Sequence, residues 1–168
     1  MLAAAALAPN LVVSAESVGT VLATTLFSRP SITALFPKLT VRDTTDTLAD
    51  EEWETLSVFQ GKQELLQISP CNAGPVSNIC VIYIRARSAR TSDGARIGDS
   101  YRKLAKKVND CGSGFEKDNG KVLCKSVKAP NVMVVFSASP VKFEGEMPPA
   151  KDLAAYKVEE LRWLPPER

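Results

Sequence analysis

Four cysteines, one serine–lysine pair and an uneven spread of charge are the features of this chain whose residue types and spacing could support chemistry. Histidine is absent, which removes the usual general base, the Ser-His-Asp and Cys-His pairs and the commonest transition-metal ligand. Eight residues separate Cys71 from Cys80 and twelve separate Cys111 from Cys124. Neither spacing is the C-x-x-C of zinc ribbons or thioredoxin-like sites. The cysteines are therefore expected to be staples, with no metal and no cofactor. Four cysteines allow three connectivities, and proximity favours Cys71 with Cys80 and Cys111 with Cys124. Closing each short loop contributes about 2.7 to 3 kcal/mol on chain-entropy grounds.

Ser100-Tyr101-Arg102-Lys103 matches S-x-x-K, in which a lysine helps deprotonate a serine at a helix N-terminus. The S-D-N and K-T-G elements that accompany this motif are missing. Ser100 therefore reads as a helix cap, and hydrolysis by Ser100 with Lys103 is the distant alternative. The glycine-flanked start of that helix could hold an anion on free N–H groups, but the carboxylate of Asp99 already faces the positive end of the dipole. No catalytic constellation remains, and the chain is expected not to be an enzyme.

Charge offers a second kind of site. Residues 81 to 128 hold twelve Lys and Arg against five acids, whereas residues 41 to 54 hold six acids and one Arg. Over the whole 168 residues the net charge is only +2, so bulk attraction to nucleic acid or membrane is not implied. A basic face including Arg85, Arg87, Arg90, Lys103, Lys106 and Lys107 could meet an anionic envelope lipid, glycan or protein. The competing reading is that these opposite charges meet within the fold. A third candidate is the loop GSGFEKDNGK between Cys111 and Cys124. Tying its ends lowers the entropy cost of presenting Phe115, as in the stapled loops of exported lysozyme inhibitors; the same ring could instead turn inward to cover the core.

The N-terminal run MLAAAALAPNLVVSA ends in Val13-Ser14-Ala15, an A-x-A-like processing site. Residues 1–15 read as a signal peptide and 16–28 as a tether or edge segment. Pro9, Asn10 and Glu16 interrupt the run before the roughly 20 residues a membrane span needs. Export to the periplasm or beyond suits an even cysteine count.

The elements that must position these residues follow from 29 to 168, a single domain with 45% hydrophobic and 24% charged composition overall. A helix starts near Pro30 and buries Ile32, Leu35 and Phe36. KLTVRD, TLSVF, ELLQIS, ICVIYIRAR, KVLCKSV, NVMVVFSA and a last segment with Val158, Leu161 and Trp163 read as strands. DTTDTLADEEWE reads as an acidic loop, and Gly61 suits a tight hairpin. In ICVIYIRAR, Cys80, Ile82, Ile84 and Ala86 share the core face, opposite Val81, Tyr83, Arg85 and Arg87. Tyr101, Leu104, Ala105 and Val108 fall at i, i+3, i+4 and i+7 of a helix that Gly112 or Gly114 stops. The fold class is α+β: an antiparallel sheet of six or seven strands packed with two short helices and stapled by disulfides.

DGARIGDSYRKL, the cysteines in DC and VLCKS, VMVVFSA and the ending GEMPPAKDLAAYKVEELRW together resemble the YfeY-like envelope lipoproteins of Gram-negative bacteria. The likeness covers about residues 91 to 163. It rests on Gly94, Ile97, Gly98, Leu104, Cys111, Cys124, Gly145, Met147, Pro148 and Trp163, with Tyr101 at an aromatic position. The resemblance implies an antiparallel sheet, an extracytoplasmic home under sigma-E envelope-stress control, and no catalytic residues. This sequence departs in lacking the lipidated cysteine and in adding Cys71 and Cys80. The reading that results is a non-enzymatic exported protein with an envelope binding or maintenance role, the alternative being an inhibitor of a secreted hydrolase such as lysozyme.

Overall fold

In the computed structural model, residues 10–48, 51–74 and 76–166 are described. Four two-residue strands come first: β1 (Val12–Val13), β2 (Ser17–Val18), β3 (Val21–Leu22) and β4 (Leu26–Phe27). Helix α1 (Arg29–Leu35) follows, capped by Ser28, whose hydroxyl accepts from the Ser31 N–H, with Pro30 in the first turn where its missing donor costs nothing. Then come β5 (Thr40–Leu48), β6 (Glu51–Gln60), β7 (Gln63–Pro70), β8 (Ser77–Ile84), β9 (Arg90–Thr91), α2 (Tyr101–Leu104) and β10 (Val108–Ser113). The chain closes with β11 (Val122–Ser126), β12 (Val132–Ser137), α3 (Ala150–Leu153) and β13 (Lys157–Trp163).

The large sheet runs β10-β11-β12-β13-β8-β7-β6-β5, with β4 also on β8, and all of its pairings are antiparallel. A small sheet, β3-β2-β1-β9, includes a parallel β1–β9 pair. Among the described residues the strand count thus exceeds six or seven and there are three short helices: Val108–Ser113 adds a strand to the large sheet, Leu26–Phe27 pairs with β8, and brief pieces at 12–22 and 90–91 form the small sheet. One face of the large sheet is the apolar core: Leu66, Ile68, Ile82, Ile84, Leu161 and Trp163 are essentially sealed from solvent. No described helix is long and apolar enough to cross a membrane.

Three local readings are corrected by the structure. The acidic segment is not a loop: β5 and β6 form a ribbon with Asp43 opposite Leu56 and Asp46 opposite Trp53, since the alternating threonines suit a pleated strand. The helix ends at Leu104, and Val108 begins a strand, because pairing to β11 and the Cys111–Cys124 bond claim that stretch. In β8 a bulge opposite Ser69 and Pro70 shifts the phase, so Ile79 enters the core and Cys80 is exposed. A similar bulge in β13, opposite Val135 and Phe136, lets Val158 share the core with Leu161 and Trp163 despite the odd spacing.

The N-terminal segment packs on the same core. Residues 1–9 of the expected signal peptide lie outside the described residues. Residues 10–15, and the segment 16–28 expected as a tether or edge segment, pack into the domain: Leu11, Val13, Val18, Val21 and Phe27 are core residues. The Arg90 N–H donates to the Leu11 carbonyl (2.9 Å) and the Ser92 N–H to that of Val13 (2.8 Å). The Trp163 indole and the Asn131 amide both donate to the carbonyl of Ala15, at 3.1 and 2.8 Å. A boundary at Ala15 would cut through these contacts.

Candidate functional site

Both disulfides are local, Cys71–Cys80 and Cys111–Cys124, with Cα atoms 4.7 and 4.0 Å apart. The second joins β10 to β11 at the foot of the loop 114–121. Above it the Gly114 N–H donates to the Lys121 carbonyl (2.8 Å), and the Asp118 N–H to that of Phe115 (2.9 Å). Gly114 is required here because a Cβ would collide with the Asp118 carbonyl. Glu116 holds a left-handed φ of 50°, rare for a side-chain-bearing residue. A second loop, 138–147, braces the first: the Asn119 amide donates to Glu144 (3.4 Å), the Ser113 hydroxyl donates to the Gly145 carbonyl (3.3 Å), and Gly120 sits hard against Val141. Phe115 does not turn inward. It is 74% exposed, and Val141 and Met147 on the bracing loop are exposed as well.

The loop is also fastened from beneath by charge. Arg162 of β13 donates both terminal nitrogens to the two oxygens of Asp118 (2.6 and 2.5 Å) and its Nε to Glu160 (2.6 Å). Glu160 in turn accepts from Arg85 Nε (2.8 Å), and Arg85 also pairs with Glu64. Lys121 reaches Glu159 (2.8 Å) and Asp118 (3.5 Å). Lys117 bonds Asp46 of β5 at 2.8 Å, so residues from the two ends of the strand order meet and the sheet curls with this polar face inside. Tyr83 stands among the cations, its ring centroid 4.9 Å from Lys117, 5.2 Å from Arg162 and 5.9 Å from Arg85. A small cavity of about 210 Å³ remains between these groups. Thr55, Ser57 and Gln67 carry the buried polar face onward under β5 through hydroxyl and amide contacts with Thr44 and one another.

Burial by itself would raise the Asp118 carboxyl, but the Arg162 guanidinium and Lys121 outweigh it and hold that group below the usual carboxylate range. Glu159 is lowered in the same way: burial opposes ionisation, and Lys121 with the Ser137 hydroxyl overcomes it. The linkage follows from the sign. Unfolded, these groups take up protons at ordinary carboxylate values near 4; folded, they resist until lower pH, so stability present above about pH 4 is lost as pH falls through the folded values. Urea midpoints should accordingly drop below about pH 4, and Asp118→Asn should flatten that drop while lowering the midpoint at neutral pH. Equal acid slopes in the two proteins would contradict the assignment.

The proposed basic face is dispersed. Arg85 is consumed on the inner face, Lys103 holds Asp99 (2.6 Å), and Lys107 donates to the Asp93 carbonyl (2.6 Å). Among the described residues, Arg87, Arg90 and Lys106 make no ion pair, yet Arg90 lies half-buried in the small sheet while Arg87 and Lys106 are exposed elsewhere. Ser100 caps α2, its hydroxyl accepting from the Lys103 N–H at 3.4 Å, and the Lys103 ammonium is turned to Asp99. Asp46, Tyr83, Lys117, Asp118, Glu160 and Arg162 escaped the sequence reading. The signal that could have found some of them was polar residues in alternation with core positions, as in Glu160 and Arg162 beside Leu161 and Trp163.

A family model described as "Protein of unknown function (DUF1131)" matches residues 5–165. The crystal structure of the uncharacterized protein yfeY from Escherichia coli superposes with a TM-score of 0.72 at 23% identity, covering 90% of this chain and 98% of that one. This likeness shows the fold. No curated protein sequence matches the chain.

Proposed function

Because the chain belongs to the DUF1131 family, whose function is unknown, its role has to be argued from its own geometry, and we propose a non-catalytic exported binding protein. Its disulfide-tied loop inserts Phe115 into a concave site on a partner protein, and the cleft of an exported hydrolase is the partner class that fits. One observation carries this reading: Phe115 is 74% exposed on a loop fixed by a disulfide, a bidentate arginine and a bracing loop. An exposed aromatic ring on a mobile loop would lose affinity to ordering; on this loop the ordering has already occurred. Val141 and Met147, exposed on the loop that braces this one, add apolar surface to the braced loop pair, as the apolar surface around an aromatic anchor does at interface hot spots. Two disulfides support a home in an oxidising compartment.

Recognition of an anionic envelope component through Arg85, Arg87, Arg90, Lys103, Lys106 and Lys107 has less support, because Arg85, Lys103 and Lys107 already hold partners within the chain. The test is a binding and inhibition screen against purified exported hydrolases, lysozyme included. A stoichiometric complex is expected, with Phe115→Ala weakening it by about 2 kcal/mol or more, roughly thirtyfold in Kd. Equal affinity of the two proteins, or no complex with any hydrolase, would overturn the inhibitor reading.

A further inference from the structure

Three of the cations that make no ion pair among the described residues gather at one place outside residues 81 to 128. A cavity of about 480 Å³ lies between the segment after β12 and the α3–β13 junction, and Lys142, Lys151 and Lys157 all line it. None of the three makes an ion pair among the described residues, and all three are exposed. Asp152 is the one carboxylate in the lining, so the wall carries three positive charges against one negative. Ser137 and Ser139 add hydroxyls to it, that of Ser137 also reaching Glu159.

Tyr156 supplies an independent indication. Tyr156 is among the residues that line the same cavity; it is 2% exposed, and its hydroxyl is buried without a hydrogen-bond partner. A buried phenol without a partner costs roughly 1 to 3 kcal/mol, which natural folds rarely leave uncompensated. Burial, and secondarily the Asp152 carboxylate, push its ionisation upward, so it stays a donor at neutral pH.

We propose that this cavity binds a phosphate monoester, with Lys142, Lys151 and Lys157 neutralising the dianion and Tyr156 donating to it. Ammonium groups recognise phosphate as point charges on flexible stems, and three of them suit a dianion better than a single carboxylate. The volume exceeds what a bare phosphate fills, which points to an ester carried on a larger polar group. That group could belong to a soluble metabolite or to a lipid headgroup, and the two sources are separable.

The test titrates the full chain with glycerol 3-phosphate by calorimetry and, in parallel, measures co-sedimentation with phosphatidylcholine vesicles with or without phosphatidic acid. Saturable binding in either arm is expected. It should weaken at least about tenfold in the Lys142→Gln/Lys151→Gln/Lys157→Gln variant and fall with salt. Tyr156→Phe should also weaken binding while leaving the unfolding midpoint unchanged or raised, since no native hydrogen bond is lost. Response to glycerol 3-phosphate marks a soluble ester; response to phosphatidic acid vesicles alone marks a headgroup. Absence of saturable binding to either probe up to about 10 mM, or equal binding by the triple variant, overturns the proposal.

Discussion

A chain that begins at Glu16 should be less stable than one that begins at Asn10 by about 4 to 6 kcal/mol, a large part of a domain's stability. The six residues in question carry Leu11 and Val13, 3% and 0% exposed, and burying each is worth roughly 1.5 to 3 kcal/mol. They also supply acceptors. Without Ala15 the buried Trp163 indole loses its partner, at about 1 to 3 kcal/mol, and the Arg90 and Ser92 N–H groups lose the Leu11 and Val13 carbonyls. With β1 gone, β2 has only β3 and β9 has no strand beside it in the small sheet. Urea unfolding of the two chains measures the difference directly. Equal midpoints would mean that residues 10–15 are incidental to the fold, and would return the boundary at Ala15 to consideration.

Arg162→Ala should cost about 3 to 5 kcal/mol, the range for removing one partner of a buried ion pair. The side chain is only 11% exposed and is shared by Asp118 at 13% and Glu160 at 4%. Its loss leaves Asp118 with the longer contact to Lys121 and Glu160 with Arg85 alone. Arg162→Lys should fall between, since a lysine restores the charge but not the two parallel bonds to one carboxylate. Because Asp118 anchors the loop, the same change should loosen Phe115, seen as faster amide exchange over residues 114–121. A cost below about 1 kcal/mol, the level of an exposed pair, would show that the cluster is merely a solvated surface.

The sheet was legible wherever side chains alternate without interruption. Alternation places Ile82, Ile84 and Ala86 in the core, where they are, and Gly61 turns the β6–β7 hairpin with a φ of 60°. Alternation misleads at bulges: it points Cys80 inward where the bulge turns it out, and Val158 joins Leu161 only through an extra residue. Val108 satisfied a helical spacing that tertiary pairing overrode. The two local disulfides follow from proximity, but the exposure of Phe115 does not, since it depends on how the loops 114–121 and 138–147 brace one another. Least legible was the charged cluster: Asp118 and Arg162 are 44 residues apart, Asp46 and Lys117 are 71, and Arg85 and Glu160 are 75. The charge imbalance between residues 41–54 and 81–128 did contain part of it, for Lys117 and Asp46 join those two regions.

Site-specific photocrosslinking at the loop tip tests the binding account most directly. Phe115→p-benzoylphenylalanine, irradiated in intact cells, should yield one defined protein adduct. The same residue placed at Val127, exposed on the β11–β12 connection, should yield none. A single partner trapped from position 115 alone is the predicted result. The absence of an adduct, or the same set of adducts from both positions, would contradict the claim that this loop is a recognition element.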